Sequence, residues 1–256
     1  MGKIDKMTII GLVAILLTVL YVLYTGNILH MLFNPLALII VFGGTFSATL
    51  IAYPWPVIKE IAPSLRILVF PSKHSEEDME AMIAQLSQLA EKARRDGIES
   101  LQAEMTRITD RFLLHGVRML VDGLEHDVIK DNLSREIFYT RHNQQKVAGA
   151  FRTMATVAPI FGLLGTLMGI VDMLRNLTNP TSMGAAMSNA VTATFYGIFS
   201  ANVFIPIATK LTDHNERDII NKEMIAEGVM AIQEGDVPLI VRNKLTAFIM
   251  AHMRRK

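Results

Sequence analysis

The side chains able to do chemistry inside the apolar part of this sequence are few, and none is an acid or a base. Between Arg152 and Asp172 the run TMATVAPIFGLLGTLMGIV carries no charge, and its mid-span hydroxyl is Thr166. Thr194 sits in a second charge-free run, from Asn176 to Thr209. A charged side chain near a bilayer centre costs about 2.5–3.5 kcal/mol on insertion scales, so proteins keep one there only for use. These runs keep none and therefore hold no proton relay and no ion-binding carboxylate of their own. What they offer is hydroxyls. Two readings of Thr166 and Thr194 stand together: a hydroxyl bonded back to a carbonyl of its own helix, or a hydroxyl placed beside a carboxylate from a partner helix. Pro159 removes one backbone donor from the first run.

Other chemistry is absent from the pattern. With no cysteine there is no disulfide, no thiolate metal site and no Cys nucleophile. The seven histidines are scattered; His115, His126 and His142 lack metal-ligand spacing, and His30 and His214 read as surface. No phosphate loop or nucleophile elbow occurs. The sixteen methionines read as packing filler. Asp172 and Arg175 lie one helical turn apart and are expected to pair. An intramembrane enzyme would need a Ser/His set, paired Asp or a metal set inside the spans, so no enzyme, metal or cofactor is expected. A net charge of +1 gives no field directed at nucleic acid.

The elements that must hold these hydroxyls are membrane helices. Hydrophobic residues make up 51% of the chain and charged residues 19%, and no charge falls between Met7 and Ile58 or between Asn176 and Thr209. A bilayer crossing takes about 20 apolar residues. The expected fold is an all-α polytopic membrane protein. It has four transmembrane helices in two hairpins, a helical cytoplasmic domain between helices 2 and 3, and a cytoplasmic helical C-terminus. The first hairpin occupies residues 1–56, with spans at about 7–24 and 35–53. The first apolar run reads as a retained span, being too long for a signal-peptide core and lacking an Ala-x-Ala site. The second hairpin occupies 153–208, with spans at about 154–174 and 183–208. Gly162, Gly165 and Gly169 line one side of the third span. Ala190, Gly197 and Ala201, with Ala186, line the fourth. Small residues at spacings of three and four let helix backbones approach closely in lipid. Of 25 Lys and Arg, only Arg175 lies on the outer side, so both termini and the middle domain are expected in the cytoplasm.

The soluble parts read as helices too. Residues 57–152 open with an interfacial helix from Val57 to Phe70, expected to break at Pro63. Ser75 with Asp78 has a capping pattern. The helix behind it carries Met79, Met82, Ile83, Leu86, Leu89 and Ala93 on one face and ends at Asp96-Gly97. Further helices are expected at about 98–107 and 110–124, another from about Asn132 into the third span, and C-terminal helices over 209–256, starting with one at 209–233.

Together these segments resemble a known family. Ala158-Pro-Ile-Phe-Gly-Leu-Leu-Gly-Thr-Leu-Met-Gly-Ile-Val-Asp-Met-Leu174 is similar to the third span of the MotA/PomA family, the A subunit of the bacterial flagellar stator. Ala193-Thr-Phe-Tyr-Gly197, Asn202-Val-Phe-Ile-Pro-Ile-Ala-Thr-Lys-Leu211 and Glu227-Gly-Val-Met-Ala-Ile-Gln-Glu-Gly235 resemble the fourth span and the segment after it. Leu120-Val-Asp-Gly123 and Ala93-Arg-Arg-Asp-Gly97 match the cytoplasmic domain. The likeness covers essentially the whole chain, in order.

The resemblance implies a motor component without chemical catalysis. Five copies would ring the membrane helices of a MotB/PomB-like B subunit, which supplies the ion-carrying Asp. Ion flow would turn a flagellar rotor through a FliG-like switch protein. Two family prolines fall on Pro159 and Pro206, and the ion-path threonines fall on Thr166 and Thr194. A rotor-engaging Arg falls on Arg94, with Arg95 beside it. The rotor-engaging Glu falls on Gln102, which cannot form an ion pair; Glu99 and Glu104 lie nearby in sequence. The related ExbB/TolQ energisers are the alternative, but they lack the first hairpin in this order.

Sodium-type members resemble this chain but carry two adjacent threonines where it has Ala193-Thr194. Hard cations need several oxygen ligands, so H+ is the expected ion and Na+ the alternative. Swimming driven by the complex is expected to stay constant when sodium is varied at fixed proton-motive force; swimming that tracks sodium would reverse the assignment.

Overall fold

The computed structural model describes residues 6–26, 34–69 and 76–253. Among them the chain is helical and has no strand. The helices are α1 (Lys6–Thr25), α2 (Pro35–Ala52), α3 (Trp55–Val69), α4 (Glu76–Asp96), α5 (Arg111–Val121), α6 (His126–Arg175), α7 (Pro180–Gln233) and α8 (Pro238–Met253). Among the described residues α2, α6 and α7 are long and apolar enough to cross a bilayer. The expected end of the interfacial helix at Phe70, the cap at Ser75 and most of the first loop lie outside the described residues.

Several helices differ from expectation. The helix expected from about Asn132 does run on into the third span, as one 50-residue helix, but it begins earlier, at His126. The fourth span and the helix after it are one 54-residue helix. The change from apolar to charged side chains alters the surroundings of the helix and not its backbone, so neither helix stops there. Pro159 and Pro206 lie inside these helices, where each removes one donor. Pro63 likewise does not break α3, which begins at Trp55 and runs through it. A proline already has helical φ, and Pro63 is exposed, where water can satisfy the freed carbonyl. The expected helix at 98–107 is two short 3-10 turns, Ile98–Ala103 and Met105–Arg107. Asp110 is the cap of α5, its side chain accepting from Leu113 N at 2.9 Å, and the helix stops at Val121. A π turn, Ile39–Gly43, interrupts α2.

The chain divides into two compact units: Met1–Pro71 with Gln145–Thr212, and Ser72–Gln144 with Asp213–Lys256. The second is held by an apolar core. Leu86, Leu101, Leu113, Ile129, Leu133, Met224, Ile225, Val229 and Leu245 are almost wholly removed from solvent. Each such side chain contributes about 1.5–3 kcal/mol in water. Met79, Ile83, Leu89 and Ala93 of α4 face the same core, and Met82 is half-buried against it. Gly97, at φ +87°, ends α4 in a conformation that other residues rarely adopt.

The first unit lacks that driving force in lipid and relies on close packing. Its closest approach of backbone to backbone at a glycine joins α6 to α7. A Cβ on Gly162 would fall 2.9 Å from the Ala193 carbonyl oxygen and 3.1 Å from Gly197 Cα. One on Gly197 would fall 2.8 Å from the Ala158 oxygen. One on Gly169 would meet Ala190 Cβ at 2.7 Å and the Ala186 oxygen at 2.9 Å. Ala190 and Ala201 are buried on α7. Backbone atoms cannot swing aside, so Gly197→Ala is expected to cost about 1–3 kcal/mol as overpacking does. Thermal unfolding of the detergent-solubilised protein checks this. Gly184→Ala, which meets open space, should leave the transition unchanged; equal transitions for both variants would contradict the close contact.

Candidate functional site

The close approach of α6 and α7 brings two hydroxyls together. Thr166 Oγ1 lies 3.1 Å from the Gly162 carbonyl oxygen of its own helix and 3.2 Å from the Ala190 oxygen across the interface. Thr194 Oγ1 lies 3.5 Å from the same Ala190 oxygen and hydrogen-bonds Thr166 Oγ1 directly. Back-bonding and cross-helix bonding therefore coexist at this pair. Both threonines are half-buried, so the pair keeps one side open. No charged side chain shares its stretch of either helix. The arrangement is neutral and rich in acceptor lone pairs, with hydroxyl protons that can reorient. It can hydrogen-bond a carboxylic acid or carboxylate brought to it, and it has no acid to bring.

Pro159 packs beside the pair's anchor, because a Cβ on Gly197 would lie 3.1 Å from Pro159 Cα. Pro206 is exposed, more than two helical turns beyond Gly197 in α7. Gly165 stands next to Thr166 and faces Ala193: a Cβ there would be 2.5 Å from Ala193 Cβ. Asp172 does not pair with Arg175. Its carboxylate accepts from Asn176 Nδ2 at 3.2 Å, and Asn176 also bonds the Asp172 carbonyl oxygen at 2.8 Å.

The second unit places the other residues singled out from sequence. Arg94 and Arg95 are exposed at the end of α4. Arg95 pairs at 3.0 Å with the neighbouring Asp96 and not with Glu91 one turn back. The hydrogen bond with Asp96 raises the Arg95 pKa and lowers that of Asp96. Glu99 and Gln102 are exposed on the first 3-10 turn. Glu104 is different. Lys92 Nζ approaches its Oε1 at 2.5 Å and Arg107 Nη1 its Oε2 at 3.3 Å. The three line a cleft of about 290 Å³ with Gln85, Gln88, Leu89 and Ile108. Glu104 is thus committed to two cations of its own chain and does not present the free charge that Gln102 lacks.

The chain is similar over nearly its whole length to known proteins. The profile of the MotA/TolQ/ExbB proton channel family matches residues 104–224, and that of the motility protein A N-terminal region matches residues 9–97. Motility protein A of Bacillus subtilis is 33% identical over 255 residues, covering 98% of this chain and 93% of that protein. The chain belongs to the motility protein A family. Chemotaxis protein PomA of Vibrio alginolyticus is 30% identical over 246 residues, 96% of this chain and 95% of that protein. Among solved structures, the C. jejuni MotAB structure is 29% identical with a TM-score of 0.84, covering 95% of each chain. The flagellar MotAB stator complex from Bacillus subtilis is 31% identical, also with a TM-score of 0.84, covering 95% of this chain and 96% of that one.

Sequence reasoning missed three sets of contacts in this family member. Asn34 bonds Asn189 and caps α2 by accepting from Ala37 N at 3.1 Å; Asn before Pro was a legible cap. The hydroxyls of Tyr53 and Thr153 meet at 3.0 Å. The Lys92–Glu104–Arg107 cluster joins α4 to the turns after it, which spacing alone does not reveal.

The cluster has a pH signature. The hydrogen bond from Lys92, then the charges of Lys92 and Arg107, lower the Glu104 pKa below its ordinary value. A carboxylate with a lowered folded pKa stabilises the fold above its unfolded pKa, and that stabilisation is lost as pH falls through the folded value. Glu104→Gln should therefore be less stable than the parent at neutral pH. The gap should close as pH drops below the ordinary carboxylate range, as read by thermal unfolding across a pH series. A gap independent of pH would contradict the assignment.

Proposed function

We propose that this chain is the A subunit of a flagellar stator, and that Thr166 and Thr194 form the wall of its ion path. With a MotB-like B subunit it makes an ion channel that converts ion-motive force into torque. The observation that carries this reading is the neutral, half-open hydroxyl pair on two charge-free helices. It is a socket for an acid that the spans themselves lack, as an Asp on a B-subunit membrane helix would supply. The membership of the family and the fold shared with MotAB structures support it. Each charge crossing the field releases about 2.3 kcal/mol per 100 mV.

In this reading the chain spans the inner membrane four times with both termini in the cytoplasm, supported by the lysine and arginine bias. Five copies ring the B-subunit helices, and the exposed Arg94 faces a rotor switch protein. Pro159 and Pro206 let the two long helices flex as the ion passes. The transported ion is a proton, since Ala193 leaves one oxygen fewer near the pair. The role is motive and not enzymatic. An ExbB/TolQ-like energiser is the second reading; the match of residues 9–97 to a motility-protein region weighs against it.

The test is substitution of the hydroxyls. Thr166→Val and Thr194→Val should each abolish swimming while the B subunit still co-purifies. Thr166→Ser and Thr194→Ser, which keep the oxygen, should swim. Valine variants that swim at the parental rate would remove the threonines from the ion path.

A further inference from the structure

The second apolar helix is irregular, and the irregularity has a geometric effect on the hydroxyl pair. Along α2 the residues Ala37, Val41, Thr45 and Thr49 are 1%, 0%, 2% and 1% exposed. They form a buried line at a spacing of four. On an α-helix of 3.6 residues per turn, residues four apart drift around the axis by about 40° per step, so three steps would carry Thr49 about 120° away from Ala37. The π turn at Ile39–Gly43 lies in the middle of this line. A π turn bonds residues five apart and not four. It takes up drift and keeps the line facing one way.

Both ends of α2 are fixed to the long helices. At one end Asn34 bonds Asn189 of α7, and at the other Tyr53 bonds Thr153 of α6. The extra residue of the π turn therefore cannot be absorbed by sliding; it sets the register between two fixed points. In that register Val41 packs with Ala37 against Ala193 and Tyr196. Ile40 Cγ2 lies 3.6 Å from the place a Cβ on Gly165 would occupy. Gly44 faces Phe161, whose ring would stand 2.3 Å from a Cβ there. Ala193 and Gly165 are the chain neighbours of Thr194 and Thr166. Thr45 and Thr49 spend their hydroxyls within α2, on the Val41 and Thr45 carbonyls at 2.6 and 2.8 Å. They keep the line buried without offering a polar contact to the pair.

We propose that the π turn is a positioning device for the ion path, acting through Val41 and Ile40 on the Ala193–Gly165 contact that spaces Thr166 and Thr194. This rests on the reading of those threonines as the wall of the ion path. Val41 is a positioning residue: it touches no ion, and it determines how closely the two hydroxyls meet. A small displacement of a positioned group lowers rates by about tenfold to a hundredfold.

The test uses the whole complex with its B subunit, reconstituted in proteoliposomes. Val41→Ala and deletion of Ile39, which removes the extra residue, are compared with the parent and with Leu50→Ala, an exposed position on the same helix. Proton conductance per assembled complex is measured across a pH series. The expected result for Val41→Ala is normal assembly, a fall of about tenfold in conductance per complex and a shifted pH midpoint. Deletion of Ile39 should do the same or more, and Leu50→Ala should match the parent. Parental conductance and midpoint in both Val41→Ala and the deletion would overturn the proposal. So would a conductance that falls only in proportion to assembly, with its midpoint unmoved. Thr194→Val is run alongside. If it conducts normally, the ion-path reading fails along with the proposal; if it is inactive while the α2 variants conduct, the positioning role alone fails.

Discussion

The constraint on which the membrane unit depends is contact between the backbones of two helices. At Gly162 and Gly197 there is no room for a single methyl group, and the atoms in the way are carbonyl oxygens and Cα atoms of the facing helix. In lipid no hydrophobic force drives apolar helices together, so packing and hydrogen bonds must do it. The same approach lets Thr166 reach the Ala190 carbonyl and the Thr194 hydroxyl across the interface. Were the helices held a side chain farther apart, both hydroxyls would retain only the bonds to their own helices. Packing and cross-helix hydrogen bonding at this site are one property of the glycines.

The second unit is stabilised differently. Its core of leucines, isoleucines, valines and methionines is removed from water, and its glycines serve side chains more than backbones. A Cβ on Gly228 would meet Leu86 Cδ1 at 2.7 Å, and one on Gly116 would meet Val229 Cγ2 at 2.8 Å. The helix ends are closed by residues suited to them. Gly123 and Gly235 have positive φ. The Leu124 and Asp236 amides return to the Met119 and Ala231 carbonyls at 3.2 and 3.0 Å, as in a Schellman closure. Some of the charges on this unit's surface are paired within it. Arg141 pairs with Glu223 at 2.6 Å, and His115 meets Glu136 at 2.9 Å. Against that background the internal commitment of Glu104 gives the departure at Gln102 its meaning: the nearby half-buried acid does not stand in for the missing one.

Much of this was legible in the residues. The small-residue stripes of α6 and α7, the absence of charge around Thr166 and Thr194, the apolar face of α4 and its end at Gly97 all follow from local rules. What was not legible has physical causes. Pro63 is read as a break, yet α3 runs through it at the cost of one hydrogen bond. A change of composition is read as a boundary after the fourth span, yet α7 passes through it because side-chain polarity does not interrupt backbone hydrogen bonding. The π turn left a trace, the period of four running through Ala37, Val41, Thr45 and Thr49, which an ordinary helical period does not sustain. The Lys92–Glu104–Arg107 cluster and the Asn34–Asn189 bond left none, since both depend on which segments meet in space.

The central claim is that this polypeptide supplies a neutral socket and another subunit supplies the acid. Proton flux into liposomes of defined membrane potential tests it most directly, measured for the purified chain alone and for the chain with a MotB-like subunit. The chain alone should leave the gradient standing, and the pair should collapse it only when the partner's membrane Asp is intact. Rapid collapse by the chain alone would contradict it.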